Sequence, residues 1–235
     1  MKKFIIEEDF WELFPKAKIG VVVFKGIDNT VKNVKQYEEL ILKNQKEALK
    51  YLSNDNFSSN EVIKVWRDAF KKFKTKKGAR SSIEALMKRV DKGNSIGTIN
   101  PLVDIYNSIS LKNALPCGGE DIDTFAGDLR LTKAEGEENF ITLGSEKSAP
   151  PYEGEIIYKD DKGAVCRCWN WREAVRTMLT EDTKNAFLCI ESVDENRSDD
   201  LDKALNELAE LVEKNLGGTY SISILDIKNK GILID

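Results

Sequence analysis

The segment Leu115–Asp123, with the sequence LPCGGEDID, holds residue types that could bind a ligand or catalyse its hydrolysis. Gly118 and Gly119 leave two backbone amides open to close approach, and such amides can donate to an anion or to a developing oxyanion. A tight turn between a helix and a strand explains the two glycines equally well. Four further candidates for substrate binding flank the glycines: Pro116, Cys117, Glu120 and Asp121.

The second candidate segment is AVCRCWNWREAVRT, Ala164–Thr177, in which Cys166 and Cys168 precede two tryptophans. A CxC pair can begin a zinc site, but zinc usually takes four ligands, and the other two cysteines lie far away in the sequence. Alternate side chains of a strand share a face, so both sulfurs are expected to pack in the core. No metal site is therefore expected.

The same alternation assigns Trp169 and Trp171 to one face of a strand, and Asn170 and Arg172 to the other face. The indoles could be core anchors of a sheet that packs on helices. Alternatively, they could fix a strand end from which Asn170, Arg172 or Glu173 reaches into a cleft. Both interpretations stay open.

The sequence contains no histidine, which excludes Ser-His and Cys-His catalysis and His-ligated zinc. Any hydrolysis must rely on carboxylates, backbone dipoles, another nucleophile or the substrate itself. Acidic residues interrupt the first apolar run, and no later segment has the roughly 18 uncharged apolar residues of a membrane span. A cytoplasmic protein with reduced cysteines and no contact with a membrane is expected.

The segment Lys64–Arg80 carries eight basic residues and one acidic residue in a chain whose formal net charge is −4. Such a cluster could contact a phosphate backbone, although the overall charge argues against general affinity for nucleic acid. A solvated helix end is an equally good explanation, because cations favour the C-terminus of a helix. The candidate residues for this contact are Lys71, Lys72, Lys74, Lys76, Lys77 and Arg80.

Periodicity predicts that helices dominate the first half of the chain and short strands the second half. A short strand KKFII and an acidic turn are predicted first. A buried strand at Lys18–Ile27 then precedes helices at Val34–Leu52, at about 60–73, behind the capping box Ser81–Glu84, and from Pro101. No linker separates two domains, so residues 1–235 are expected to form one. The predicted later strands are DIDTFAGDLRLTKA, ENFITLG, GEIIYKD, GAVCRCWNW and NAFLCIES, and a final helix and the strand TYSISILDI follow them.

Taken together, these motifs resemble a known family over about 80–192. INPLVDIYNSISLKNALPCGGEDID, GDLRLTKAEGEENFITLG, GEIIYKDDKGAVCRCWNWRE and TEDTKNAFLCIES occur in the order found in the editing module of the bacterial phenylalanyl-tRNA synthetase beta subunit, its third and fourth domains. The chain resembles free-standing relatives of that module more closely, because they show LPxGGED and WNWR. The resemblance implies an α+β fold, a β-rich layered sandwich with helices packed on one side. Residues 1–79 and 198–235 would extend it at either end.

The resemblance also implies a function, because the synthetase module hydrolyses the ester of tyrosine wrongly attached to the phenylalanine tRNA. The protein would then be a trans-acting hydrolase that deacylates a mischarged aminoacyl-tRNA without a cofactor. The Gly118 and Gly119 amides would polarise the ester carbonyl, and Glu191 or Glu173 would orient the amino acid or a water. Further pocket positions implied by the resemblance are Tyr106, Asn107, the loop Pro116–Asp121 and Cys168.

Two positions depart from the synthetase, whose pocket histidine aligns with Gly118 and whose small threonine aligns with Tyr106. The tyrosine specificity is therefore not carried over, and Glu191 could read an amino group or order a water instead. Aminoacylated tRNA is the expected partner, and it stays open whether an aminoacyl-tRNA synthetase delivers it. A non-catalytic module that binds an amino acid or tRNA is the main alternative, and Cys117 as a nucleophile is a weaker one.

Overall fold

Ten β-strands form two sheets that enclose most of the hydrophobic core in the computed structural model, which describes residues 1–235. The six-stranded sheet has the order β10-β1-β4-β5-β6-β7, and the four-stranded sheet has the order β3-β8-β2-β9. All neighbouring strands are antiparallel except β1 and β4. The strands are β1 (Lys3–Ile6), β2 (Lys18–Lys25), β3 (Cys117–Asp121), β4 (Leu129–Lys133), β5 (Ile156–Asp160), β6 (Gly163–Arg167), β7 (Arg172–Glu173), β8 (Asn185–Ser192), β9 (Thr219–Leu225) and β10 (Gly231–Leu233).

Six α-helices complete the predicted α+β fold, which the structure confirms. Asn100 caps α5 through a hydrogen bond from the amide of Val103, and Pro101 occupies the first helical position, where no amide is needed. Ser81 caps α4 by accepting from the amide of Glu84, as its spacing predicts. The helices are α1 (Glu8–Leu13), α2 (Val34–Ala48), α3 (Glu61–Phe70), α4 (Ser82–Asp91), α5 (Pro101–Asn113) and α6 (Ser198–Leu216), and single 3-10 turns occupy Leu49–Tyr51, Phe57–Ser59, Ile122–Thr124 and Glu195–Arg197.

Strand β2 shows why the four-stranded sheet is covered on both faces. Its alternate residues Val21 and Val23 belong to the core between the sheets, whereas Val22 and Phe24 belong to a second core with α5 and α6. Gly20 permits the close approach of α6, because a Cβ there would lie 2.3 Å from a methyl carbon of Leu205. Helices α5 and α6 therefore lie on one side of the sandwich, and α2 packs against α5.

Residues of the N-terminal segment 1–79 take part in both sheets. Strand β1 pairs with β4 and β10, and β2 lies between β8 and β9. Phe10, Phe14 and Trp66 surround the indole of Trp169 with ring-centroid distances of 4.7–5.0 Å. The segment thus packs directly behind one of the predicted functional stretches, where it fixes the position of that indole.

Two local predictions are wrong. The segment ENFITLG, expected to be a strand, has no regular structure, because its backbone bonds to loops: the carbonyls of Phe140 and Ile141 accept from Ala149 and Val175. The acidic residues after β1, expected to form a turn, begin helix α1, where carboxylates in the first turn favour the helix dipole.

Candidate functional site

A cavity of about 760 Å³ opens between the two sheets at the free edge of β3. Its wall is formed by β3, β5, β6, β7 and β8, by the turn after β6, and by residues of α4 and α5. The volume is that of a small-molecule site. Five charged side chains line the cavity, and none of them is a lysine: Arg89, Glu120, Arg172, Glu173 and Glu191.

Strand β8 brings Glu191 to the cavity because its side chains alternate between two faces. Phe187 and Cys189 share the face of Glu191 and also line the cavity, whereas Leu188 and Ile190 pack into the core with α5 and α6. Glu191 follows them near the end of the strand, where its amide donates to the carbonyl of Pro116 at 3.1 Å. The alternation of the strand thus fixes the direction of this carboxyl group.

Glu191 accepts hydrogen bonds from three side chains although only 1% of its surface is exposed. The indole Nε1 of Trp169 donates at 2.7 Å, and the Tyr158 hydroxyl and the Asn170 amide nitrogen donate as well. Burial raises the pKa of Glu191 to about 7, and the three donors oppose that rise because they favour the ionised form. Glu191 can therefore take up and release a proton near neutral pH while its position stays fixed.

The turn Cys168–Trp171 explains how Trp169 and Asn170 both reach Glu191. Cys168 and Trp169 have φ values of +46° and +63°, so β6 ends at Arg167 and the strand alternation predicted through Trp171 is wrong. Trp169 is fully buried, and Asn170 also accepts a hydrogen bond from the amide of Ser82 at the start of α4. The guanidinium of Arg172 lies 5.0 Å from the ring of Trp171, at the rim of the cavity.

The amides of Gly118 and Gly119 point in opposite directions. The amide of Asp121 donates to Thr177 on the free edge of β3, and the Glu191 amide donates to Pro116 from the paired side. By strand alternation, Gly119 therefore faces the free edge, and Gly118, which pairs with Cys189, faces β8. The expectation that the two amides jointly polarise a carbonyl is corrected, because the Gly118 amide is used in the sheet and only the Gly119 amide faces away from β8.

The missing side chains of these glycines serve different purposes. A Cβ at Gly118 would meet only a carboxylate oxygen of Glu173, at 3.8 Å, so this glycine leaves room in the cavity. A Cβ at Gly119 would lie 2.0 Å from a methyl carbon of Leu188 and 3.1 Å from one of Leu179. Gly119 is therefore required by core packing, whereas Gly118 borders open space.

Glu120 and Glu173 form a second acidic group in the cavity wall. Glu120 is 5% exposed, and its Oε2 has no hydrogen-bond partner in the protein. Burial raises the pKa of Glu120 well above its ordinary value, and the charge of Glu173 adds to the effect. Burial also raises the pKa of Glu173 to about 7. The side chain is partly exposed, but its exposed surface faces the cavity.

Helix α5 contributes Tyr106 and Asn107, two pocket positions implied by the resemblance, to the cavity wall. Burial raises the pKa of the Tyr106 hydroxyl well above its ordinary value, and the charge of Glu173 adds to it. The phenol therefore stays protonated and can donate a hydrogen bond. Burial likewise raises the pKa of the Cys117 thiol, with a further contribution from Glu191, so the thiol is held neutral and is a weak nucleophile.

Three predicted pocket residues lie outside the cavity wall. Pro116 uses its carbonyl in the sheet, as described, and the Asp121 carboxylate accepts from the Thr183 hydroxyl at 2.7 Å and from the Asp123 amide at 2.9 Å. The Cys168 side chain is fully buried in the core, because the left-handed turn directs it away from the cavity. All four cysteines are free and buried: Cys117, Cys166, Cys168 and Cys189.

The basic segment does not line the cavity, but it comes directly before α4 in the chain, and α4 does line it. Its six candidate cations are exposed on the loop between α3 and α4. Lys71 pairs with Asp68 at 2.7 Å, and Lys72 and Lys74 lie over the rings of Phe14 and Tyr152. The loop ends at α4, whose first residue, Ser82, lines the cavity.

Sequence reasoning missed Tyr158 and Ser82 as cavity residues. Ile156 and Tyr158 alternate in the predicted strand GEIIYKD, so the pattern could have placed the Tyr158 hydroxyl on the inner face. No sequence signal placed Ser82 opposite Asn170. No group of three or more cysteine, aspartate or glutamate side chains is arranged to hold a metal ion. None of the six helices combines the length and the apolar character that crossing a membrane requires.

Comparison with solved structures finds similarity to an N-terminal fragment of the phenylalanyl-tRNA synthetase beta-subunit from Pyrococcus horikoshii, at 12% sequence identity and a TM-score of 0.49. The match covers 92% of this chain and 49% of the fragment, so the chain spans about half the length of that structure. Comparison with curated proteins finds no match. The family model of the B3/4 domain matches residues 65–217. This match confirms the resemblance that the motifs indicated and extends it beyond 80–192: the chain belongs to the B3/4 domain family.

Proposed function

We propose that the protein is a trans-acting editing hydrolase that removes an amino acid from mischarged tRNA. The observation that carries the proposal is the cavity that holds Glu191, fixed by three donors, and the carboxylate pair Glu120 and Glu173 in its walls. An aminoacyl ester is already activated, so the enzyme mainly has to hold it and position a water. That task suits a site without histidine or metal ligands.

The charge of the cavity supports an amino acid as the bound group. Three carboxylates line it, and the two arginines in its wall, Arg89 and Arg172, are exposed. Buried carboxylates are costly unless a cation or hydrogen-bond donors offset them. The α-ammonium group of an aminoacyl ester supplies such a cation.

Glu191 is the proposed general base. It accepts a proton from a water whose oxygen attacks the ester carbonyl, and the tetrahedral intermediate then expels the ribose oxygen, which takes the proton back. A pKa of about 7 suits both steps, because efficient proton transfer needs a group that titrates near the working pH. The hydroxyl of Tyr106 and the amide of Asn107 are available to orient the ester from α5.

The basic loop between α3 and α4 is the proposed contact for the tRNA backbone. Its exposed cations, Lys71 to Arg80, lie directly before Ser82, so a tRNA held there could place its aminoacylated end in the cavity. Binding through these cations would be salt-dependent, because it releases counterions from the phosphates. A synthetase could deliver the tRNA, and the deacylation reaction itself does not require one.

Incubation of the purified protein with a panel of mischarged tRNAs tests the proposal. We expect at least one tRNA to lose its amino acid faster than in buffer, and Glu191→Gln to slow that loss by about 10²–10⁴-fold, the usual contribution of general acid–base catalysis. Glu213→Gln, on the exposed side of α6, is the matched control and should retain the wild-type rate. If no tRNA is deacylated faster than in buffer, the proposal is wrong.

One observation favours a second candidate, a module that binds an amino acid or tRNA without chemistry. Three of the lone-pair positions of Glu191 are already occupied by protein donors, and the amides of Gly118 and Gly119 point in opposite directions. A thermal-shift screen with amino acids, together with tRNA binding at two salt concentrations, separates the candidates. Stabilisation by ligands without deacylation of any tRNA would favour the binding module.

A further inference from the structure

The strongest unmet hydrogen-bond demand in the cavity is at Glu120. Its Oε2 has no hydrogen-bond partner in the protein, and solvent cannot supply one because Glu120 is only 5% exposed. A buried carboxyl oxygen without a donor destabilises the folded state, and the cost is larger when the group is charged. The geometry of the surrounding strands shows what kind of group could meet that demand.

Glu173 lies beside Glu120 but on a different sheet. Gly118 and Glu120 share one face of β3, and the Glu173 carboxylate stands 3.8 Å from the Cβ position of Gly118. Glu173 is held there because β7 pairs with β6, with Cys166 opposite Glu173. The two carboxyl groups therefore converge on the space that the absent side chain of Gly118 leaves open.

This pair is separate from Glu191. Glu120 lies opposite Phe187 in the pairing of β3 with β8, and Glu191 is four residues farther along β8 on the same face. Four residues of a strand span about 13 Å, so the cavity has one acidic group at each end. Tyr158, Trp169 and Asn170 donate to Glu191, whereas Oε2 of Glu120 has no hydrogen-bond partner in the protein. The hydroxyl of Thr177 is a neighbouring donor that lowers the pKa of Glu120, but it too is buried without a partner of hydrogen-bond geometry.

We propose that Glu120 and Glu173 form a subsite for a primary ammonium group of the amino acid in the cavity. The assignment builds on the proposed function and names the group that the cavity selects. An ammonium ion has three N–H donors and a positive charge, so it can bond the free oxygen of Glu120 and an oxygen of Glu173 together. The α-ammonium group and a side-chain ammonium group share this chemistry, and the experiment distinguishes them.

The test uses L-lysinamide, which carries both ammonium groups and has no ester to hydrolyse. Isothermal titration calorimetry compares its binding to the wild-type protein with that of Nα-acetyl-L-lysinamide and Nε-acetyl-L-lysinamide. Acetylation of the nitrogen that occupies the subsite is expected to raise Kd at least tenfold, and the derivative that loses affinity identifies which ammonium binds. If neither derivative changes Kd by more than twofold, or if L-lysinamide does not bind, the subsite is refuted.

Variants test whether Glu120 and Glu173 are the residues that bind the ammonium group. Glu120→Gln combined with Glu173→Gln keeps the shape of both side chains and should weaken L-lysinamide at least tenfold, with no further loss on acetylation of the sensitive nitrogen. Glu213→Gln should bind as the wild type does. Wild-type affinity in the double variant would overturn the assignment. Binding of L-lysinamide that depends on Glu120 and Glu173, without deacylation of any tRNA, would retain the subsite and reject the hydrolase. Deacylation of a tRNA by a protein whose affinity for L-lysinamide is unchanged by acetylation would retain the hydrolase and reject the subsite.

Discussion

Alanine substitutions at Gly118 and Gly119 should have opposite effects on stability although the two residues are adjacent in one strand. A methyl group at Gly118 meets a single carboxylate oxygen at 3.8 Å, an ordinary contact distance, and enters the cavity. A methyl group at Gly119 would be 2.0 Å from a carbon of Leu188 and 3.1 Å from the backbone oxygen of Phe187. The side chain could yield, but the strand backbone could not without disturbing its pairing with β8.

The expected magnitudes follow from these distances. Gly118→Ala fits its backbone without strain and should raise the free energy of unfolding by about 0.4–1 kcal/mol, because alanine restricts the unfolded chain. Gly119→Ala overpacks the core and should lower it by about 1–3 kcal/mol. In a chain of this length, each kcal/mol corresponds to roughly 2–4 °C in the melting temperature.

Urea unfolding followed by tryptophan fluorescence measures both variants under one condition. The buried indole of Trp169 reports on the core behind the cavity. Gly118→Ala should also reduce binding in the cavity while the fold stays intact, which separates the site from stability. Equal destabilisation by the two variants, or a larger loss for Gly118→Ala, would refute the described placement of β3.

Three further changes probe the carboxylates and the basic loop. The pKa of Glu173 is raised to about 7 from 4.5, so the native state loses stability as the pH rises through this window, and Glu173→Gln should gain about 1–3 kcal/mol at pH 8 but little at pH 4.5 in urea unfolding. Asn170→Ala removes a donor to Glu191, so it should cost about 1–3 kcal/mol and shift the pH profile of deacylation upward. Replacing Lys76 and Lys77 by alanine should make the slope of log K for tRNA binding against log salt concentration shallower, by about 0.7–0.9 for each lost phosphate contact.

Each of these changes has a control of the same type on an exposed helix. Glu213→Gln should give no pH-dependent gain, and Asn206→Ala should leave the pH profile unchanged. Alanine at Lys35 and Lys43 of α2 should keep the wild-type salt slope. A pH-independent effect of Glu173→Gln, an unmoved profile in Asn170→Ala, or an unchanged slope in the loop variant would contradict the corresponding interpretation.

Strands with strict alternation were predictable from the sequence. Once NAFLCIES is predicted as a strand, the alternation of its side chains places Cys189 and Glu191 on one face, and β8 has that arrangement. The capping residues Ser81 and Asn100 likewise mark the start of α4 and α5. The motifs identified the family, and the resemblance placed Tyr106 of α5 and the loop at β3 in one pocket.

Long-range packing determines the features that the sequence did not reveal. The left-handed turn at Cys168 and Trp169 contradicts local preference, and it is stabilised by the burial of Trp169 against Phe10, Phe14 and Trp66 from distant segments. The direction of the Gly119 amide depends on the register between β3 and β8, which composition does not encode. Glycine pairs therefore indicate an open site without specifying which amide is free.

The most direct test of the central claim is the deacylation of mischarged tRNA by the wild-type protein and by Glu191→Gln, measured across pH 5–9. The account predicts that the wild-type rate rises with an apparent pKa near 7 as Glu191 loses its proton, and that Glu191→Gln abolishes this dependence together with most of the rate. A wild-type rate that does not exceed the rate in buffer, or a Glu191→Gln variant that keeps the rate and its pH profile, would contradict it.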